Sequence, residues 1–170
     1  VDPKTRTLLG NDSAPLVDML NRWPHRDSVL DLAPPESTGV IQNWQLMLQS
    51  AVNDGVYRCG FARNQAAYNR AEAELFAALD AVEQSLKTKG PWLCGEALTL
   101  ADVRLFPTLI RWELVYAPLF GCSRRPLLHY TNLWEWRQRF YSLPGVADTC
   151  DGDAWRRDYF GALFPLNPGG

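Results

Sequence analysis

The stretch LTLADVRLFPTLIRW, residues 98–112, decides how the rest of the chain is read. Thr99 is placed to cap a helix, and Asp102, three residues on, completes a capping box that satisfies two otherwise orphaned backbone N–H groups. Leu98 before the cap and Val103 one turn inside it can pack together as a hydrophobic staple. A helix therefore starts here and runs through Arg104, Leu105, Leu109, Ile110, Trp112 and Leu114 towards Tyr116. Pro107 predicts a kink in it, because proline has no N–H to donate and crowds the preceding turn.

Outward from this helix the same period recurs. Asn64 is a cap for a long helix in which Tyr68, Ala71, Leu75, Leu79, Val82 and Leu86 repeat at threes and fours, closed by Lys87, Lys89 and Gly90. From about Ser37, the set Val40, Ile41, Trp44, Met47, Leu48, Ala51 and Val52 keeps helical spacing, and Asn53-Asp54-Gly55 predicts a left-handed stop. Ser13 as N-cap, Pro15 in the first turn and an apolar face of Leu16, Met19, Leu20 and Trp23 predict a short helix ended by Pro24. A loop containing Pro34-Pro35 follows, to about Glu36. The first twelve residues have room for an edge strand around Thr7-Leu8-Leu9.

Downstream, Thr131 or Asn132 caps a helix carrying Leu133, Trp136, Phe140 and Leu143, stopped by Pro144-Gly145. Asp151 or Asp153 starts a last helix with Trp155, Tyr159 and Phe160, ending at Gly161 before a Pro/Gly tail. About six helices and at most one stub of strand predict an all-α bundle.

Composition bounds the function. At 170 residues and 46% hydrophobic, the chain can bury one core as one domain without a metal or disulfide staple. A net charge of −2 gives no field that would draw it to nucleic acid or an anionic membrane, and no apolar run reaches the ~18 residues of a membrane span. Seven tryptophans exceed a minimal core, so some rings either line a cleft or enlarge the interior. Cys59, Cys94, Cys122 and Cys150 are widely spaced and lack zinc-ligand spacing. With no secretory leader they are read as free thiols of a cytoplasmic protein. His25 and His129 have no identifiable acidic partner, which argues against a histidine triad or metal site. A start at Val1 rather than Met suggests a fragment or an unusual start codon.

GPWLCGEALTLADVRLFPTLIRW (90–112) followed by YTNLWEWRQRFYSLPGV (130–146) resembles the C-terminal helical domain of cytosolic glutathione transferases. VNDGVYRCGFA (52–62), VYAPLFGCSRR (115–125) and WRRDYFG with a later Asn-Pro (155–161, 167–168) narrow the resemblance to glutathionyl-hydroquinone reductases, the omega-like Xi class. The opening DPKTRTLLGNDSA (2–14) resembles the end of a thioredoxin-like domain, so residues 1–12 are expected to be its remnant and 13–170 the helical domain.

The resemblance implies glutathione as co-substrate, gripped by Asp12 and Ser13. A helix N-terminus and a hydroxyl suit the γ-glutamyl carboxylate, while a carboxylate can pair with the α-ammonium. The plain alternative is an ordinary capped helix. It also implies that Tyr57 and Tyr159 reach the oxygens of an aromatic hydroquinone, with Tyr116 and Phe160 as pocket wall. In the family the nucleophile is the cysteine of a Cys-Pro-Trp motif in the thioredoxin-like domain, a motif these 170 residues do not contain. The expected function is thus the substrate domain of such a reductase, inactive alone and associating as a homodimer. The alternative is a noncatalytic ligand-binding or dimerisation module of the same fold. Two departures bear on substrate preference: Asp158 stands where the family has His, and Asp12 where it has Glu.

Overall fold

The helix predicted from Asn64 is α4 (Gln65–Lys89), whose Asn64 Oδ1 accepts from Ala67 N at 2.8 Å. Its buried face, Ala71, Leu75, Phe76, Ala78, Leu79, Val82 and Leu86, is the spine on which the other helices pack. The structure, a computed structural model, describes residues 2, 4–8, 10–23 and 30–163. Pro24, His25, Leu9 and the Pro/Gly tail, on which some expectations fell, lie outside the described residues.

The remaining α-helices are α1 (Ser13–Asn21), α2 (Thr38–Met47), α3 (Asp54–Gly60), α5 (Leu100–Ile110), α6 (Ala117–Phe120), α7 (Thr131–Tyr141) and α8 (Gly152–Ala162). A π-helical turn, Leu48–Asn53, joins α2 to α3, and another, Trp112–Tyr116, leads from α5 into α6. Counted as continuous rods, the described residues form six helices, as expected, and no strand, only the isolated bridges Asp2–Thr7 and Trp92–Gly95. The fold is an all-α bundle.

Three local expectations are corrected. The chain does not stop at Gly55, which is helical and buried. Asn53 is spent on α5 instead, donating to Arg104 O at 3.2 Å and accepting from Thr108 Oγ1 at 2.9 Å. Ser13 is the first helical residue of α1, and the cap is Asp12, whose Oδ1 accepts from Ala14 N at 3.0 Å. The apolar face read onto α1 is not buried: Leu20 is 58% and Trp23 56% exposed.

The α5 start is built as its spacing predicts. Asp102 is fully buried; Oδ2 accepts from Thr99 N and Thr99 Oγ1, and Oδ1 from Leu93 N and Trp136 Nε1 at 2.8 Å. Burial raises its carboxyl above the ordinary range against these four donors. The helix passes through Pro107 and leaves α geometry only at Arg111 (φ −91°, ψ −1°). At α7, neither Thr131 nor Asn132 is the cap; Glu83 of α4 accepts from Asn132 N, Asn132 Nδ2 and Leu133 N. Asp151 caps α8 through Ala154 N.

Candidate functional site

Tyr57 projects from α3, Tyr116 from the end of the second π-helical turn and Tyr159 from α8. Their hydroxyls form a triangle: Tyr57 to Tyr159 is 2.9 Å, Tyr116 to Tyr159 3.0 Å and Tyr57 to Tyr116 3.4 Å. The rings meet edge to face, with centroids 5.8 Å apart for both Tyr57–Tyr116 and Tyr116–Tyr159. Phe120 of α6 tilts against Tyr57 and Tyr116 and so fixes their spacing. Gly60 of α3 makes that contact possible, since a Cβ there would fall 2.4 Å from the Phe120 ring. Its role is close packing rather than turning the chain.

The triangle borders a cavity of about 330 Å³ whose walls include Ser13, Gln49, Asn53, Tyr57, Arg104, Arg111, Tyr116 and Tyr159. Tyr57 is 38% and Tyr116 3% exposed, so the cluster runs from the bundle interior to the cavity mouth. Burial raises the Tyr57 hydroxyl pKa, partly offset by its bond to Tyr116 and by Arg111. Tyr116 is pushed far up by burial and by its bonds to Tyr159 and Tyr57. Both stay protonated at neutral pH and keep an O–H to donate.

Of the six residues singled out in the sequence, four meet at this cavity: Ser13, Tyr57, Tyr116 and Tyr159. Asp12 is one residue away, with Oδ1 engaged at the α1 start, and it is not among the lining residues. Phe160 packs on the core instead of lining the cavity. Sequence reasoning missed Arg111, which lies where α5 gives way to the π-helical turn; nothing local marks it.

The cysteines sit elsewhere. Cys59 and Cys122 are 3% and 0% exposed; the neighbouring Cys122 thiol lowers the Cys59 pKa, while Cys59 and burial raise that of Cys122. Cys94 is half-buried and raised by burial. None lines the phenol cavity. Arg124 and Arg125 pair with Glu72 and Asp80, and Arg156 and Arg157 with Asp153 and Asp158, so both arginine doublets belong to ion-paired surface. His129 is exposed, no cluster of metal-ligating side chains occurs among the described residues, and none of their helices is long and apolar enough to cross a membrane.

Comparison with known proteins matches residues 65–139 to the family model "Glutathione S-transferase, C-terminal domain". The chain is 35% identical over 171 residues to glutathionyl-hydroquinone reductase YqjG of Escherichia coli, covering 99% of the chain and 52% of that relative. It is likewise 35% identical to glutathionyl-hydroquinone reductase PcpF of Sphingobium chlorophenolicum, covering 99% and 54%. The glutathione-bound structure of YqjG superimposes with a TM-score of 0.91 at 34% identity, covering 97% of this chain and 54% of that one. Glutathione transferase Xi 1 of Trametes versicolor gives 0.91 at 31%, covering 97% and 59%. The chain thus spans about half the length of the relatives it matches.

Proposed function

The chain carries the C-terminal helical domain of the glutathione S-transferases, and from that premise we propose that it forms the aromatic-substrate half of a glutathionyl-hydroquinone reductase. The observation that carries the reading is the triangle of Tyr57, Tyr116 and Tyr159 beside a cavity large enough for one aromatic ring. The 3.4 Å edge between Tyr57 and Tyr116 is the loosest of the three, and a ligand oxygen accepting there gains two phenolic donors while the rings pack on its apolar face.

In the proposed reaction a cysteine thiolate attacks the glutathionyl sulfur. The sulfur-bearing ring carbon takes up a proton with an electron pair drawn from a hydroquinone oxygen, and as the S–S bond forms the C–S pair returns through the ring to that oxygen. A second glutathione thiolate then displaces the cysteine and leaves as oxidised glutathione. Negative charge developing on the departing hydroquinone oxygens is met by the phenol donors. The thiolate comes from polypeptide other than these 170 residues, which have no Cys-Pro-Trp motif and whose four cysteines are buried or half-buried. Residues 1–12 are read as the end of the thioredoxin-like domain that would supply it. Ser13 lines the same cavity as the phenols, in keeping with a glutathione grip by Asp12 and Ser13. Among the described residues, eight of the ten exposed large apolar side chains lie within residues 8–61, an uneven surface of the kind another packed domain would cover.

The test is calorimetric titration of a hydroquinone and of glutathione into this chain, with turnover of a glutathionyl-hydroquinone measured in parallel. Hydroquinone binding without turnover is expected, and cysteine-dependent turnover by this chain alone would overturn the division of labour. The absence of a nucleophile motif also favours a second reading, a noncatalytic binding or dimerisation module. That reading gains if glutathione and hydroquinone both fail to bind while sedimentation shows a homodimer.

A further inference from the structure

Among the described cavity residues, Arg111 is the one with a buried side-chain donor that meets no partner. Its side chain is anchored at two points: Nη1 donates to Pro107 O at 2.7 Å, and the guanidinium carbon lies 4.8 Å from the centre of the Trp155 ring. Nε is buried and meets no acceptor among the described residues, a costly state for a charged donor. No described carboxylate lies within ion-pairing distance of this guanidinium. Arg104 lines the same cavity, while the one lining carboxylate, Asp54, accepts from Gln49 Nε2 at 2.8 Å. The cavity wall is therefore biased to positive charge, although the chain as a whole carries −2.

Backbone geometry puts this charge beside the phenols. In an α-helix, residues five apart point about 140° away from each other. The wider π-helical turn that follows Arg111, closed by Ala117 N donating to Trp112 O five residues back, lets Arg111 and Tyr116 both line one cavity.

We propose that Arg111 makes this cavity a site for aromatic ligands bearing an anionic oxygen, so that the hydroquinone is held as its phenolate. The inference rests on the reading of the cavity as the aromatic-substrate site. A phenolate accepts from the phenol hydroxyls and balances the guanidinium, whereas a neutral phenol leaves that charge uncompensated. In the reaction, the oxyanion pushes its electron pair into the ring so that the sulfur-bearing carbon takes a proton, and the C–S pair returns to that oxygen as the thiolate takes the sulfur. The carboxylates of glutathione are the other source of an anionic oxygen.

The experiment is a pH titration of 4-nitrophenol, whose phenolate absorbs visible light, bound to the full chain. The bound ligand should ionise about one pH unit or more below its value in free solution, equal to about tenfold tighter binding of phenolate than phenol. In Arg111→Gln the shift should vanish while the neutral phenol binds as before at low pH. Arg111→Lys, which keeps the charge, should retain part of it. An unshifted ionisation in the parent protein, a measurement that needs no variant to fold, overturns the inference and leaves the aromatic site standing. Failure of any phenol to bind overturns the proposed function and this inference with it. If Arg111→Gln abolishes glutathione binding but leaves the nitrophenolate shift intact, the guanidinium serves the tripeptide and the inference is wrong.

Discussion

Gly60→Ala should lower stability and loosen the phenol triangle together. The added Cβ would lie 2.4 Å from two Phe120 ring carbons and 2.9 Å from its Cβ, so the ring must retreat by about 1 Å or more to restore ordinary contact near 3.5–4 Å. Phe120 is 3% exposed and held by Tyr57, Phe61 and Tyr116 at centroid distances of 5.3, 5.7 and 5.6 Å, so it has little room to move without moving them. Overpacking of this kind costs about 1–3 kcal/mol. Replacing a helical glycine by alanine returns about 0.5–1 kcal/mol, because Gly60 closes α3 with no positive φ. The net loss is about 0–2.5 kcal/mol, and a clash with the base of a buried ring rather than a flexible tip puts it in the upper half, a fall in Tm of roughly 2–10 °C for a chain of this length. Thermal melts followed by circular dichroism measure it. The double variant Gly60→Ala/Phe120→Leu, in which the clash is relieved, should recover part of the loss, giving a coupling energy in a double-mutant cycle. A Gly60→Ala protein as stable as the parent, or additive effects in the cycle, would refute the view that this close approach positions the phenols.

Tyr57→Phe and Tyr159→Phe should each weaken hydroquinone binding about 2- to 10-fold, the loss of a net hydrogen bond, as read by calorimetry; unchanged affinity in both would take the triangle out of the site. Glu83→Ala should cost about 1–3 kcal/mol, since it strips three acceptor contacts from the start of α7, and urea melts at a constant m-value will measure it. Tyr68 and Tyr130 are both raised to about 12, chiefly by burial and then by Glu72 and Asp80 respectively. The folded state keeps these protons when the unfolded state has lost them near pH 10, so their stabilisation is complete below pH 10 and is lost as pH rises towards 12. Ultraviolet titration of tyrosinate should show a late-ionising class that shrinks by two residues in the Tyr68→Phe/Tyr130→Phe double variant, with Tyr57 and Tyr116 remaining in it.

How far the sequence reaches depends on the range of the forces read from it. The Thr99–Asp102 box, the Asn64 cap and the apolar face of α4 rest on contacts within three or four residues, and each forms where its spacing predicts. The same local logic misplaced the end of the second helix. Asn53-Asp54-Gly55 has the composition of a stop, yet Asn53 finds better partners on α5 at Arg104 and Thr108, 51 and 55 residues away. Likewise Thr131 and Asn132 look like caps, but Glu83 reaches the α7 start first because α4 and α7 pack side by side.

By itself the sequence determined the helices, their count and the caps at Asn64 and Thr99, and by resemblance which tyrosines to watch, because backbone hydrogen bonds and apolar period are written within a turn or two of the chain. Only tertiary structure decided that phenols 43 to 102 residues apart share one triangle and that Arg111 stands in its cavity wall with a donor to spare. Those facts come from how α3, α8 and the turn between α5 and α6 pack against one another. Packing of that kind depends on volumes filled jointly by distant residues, which no local stretch specifies.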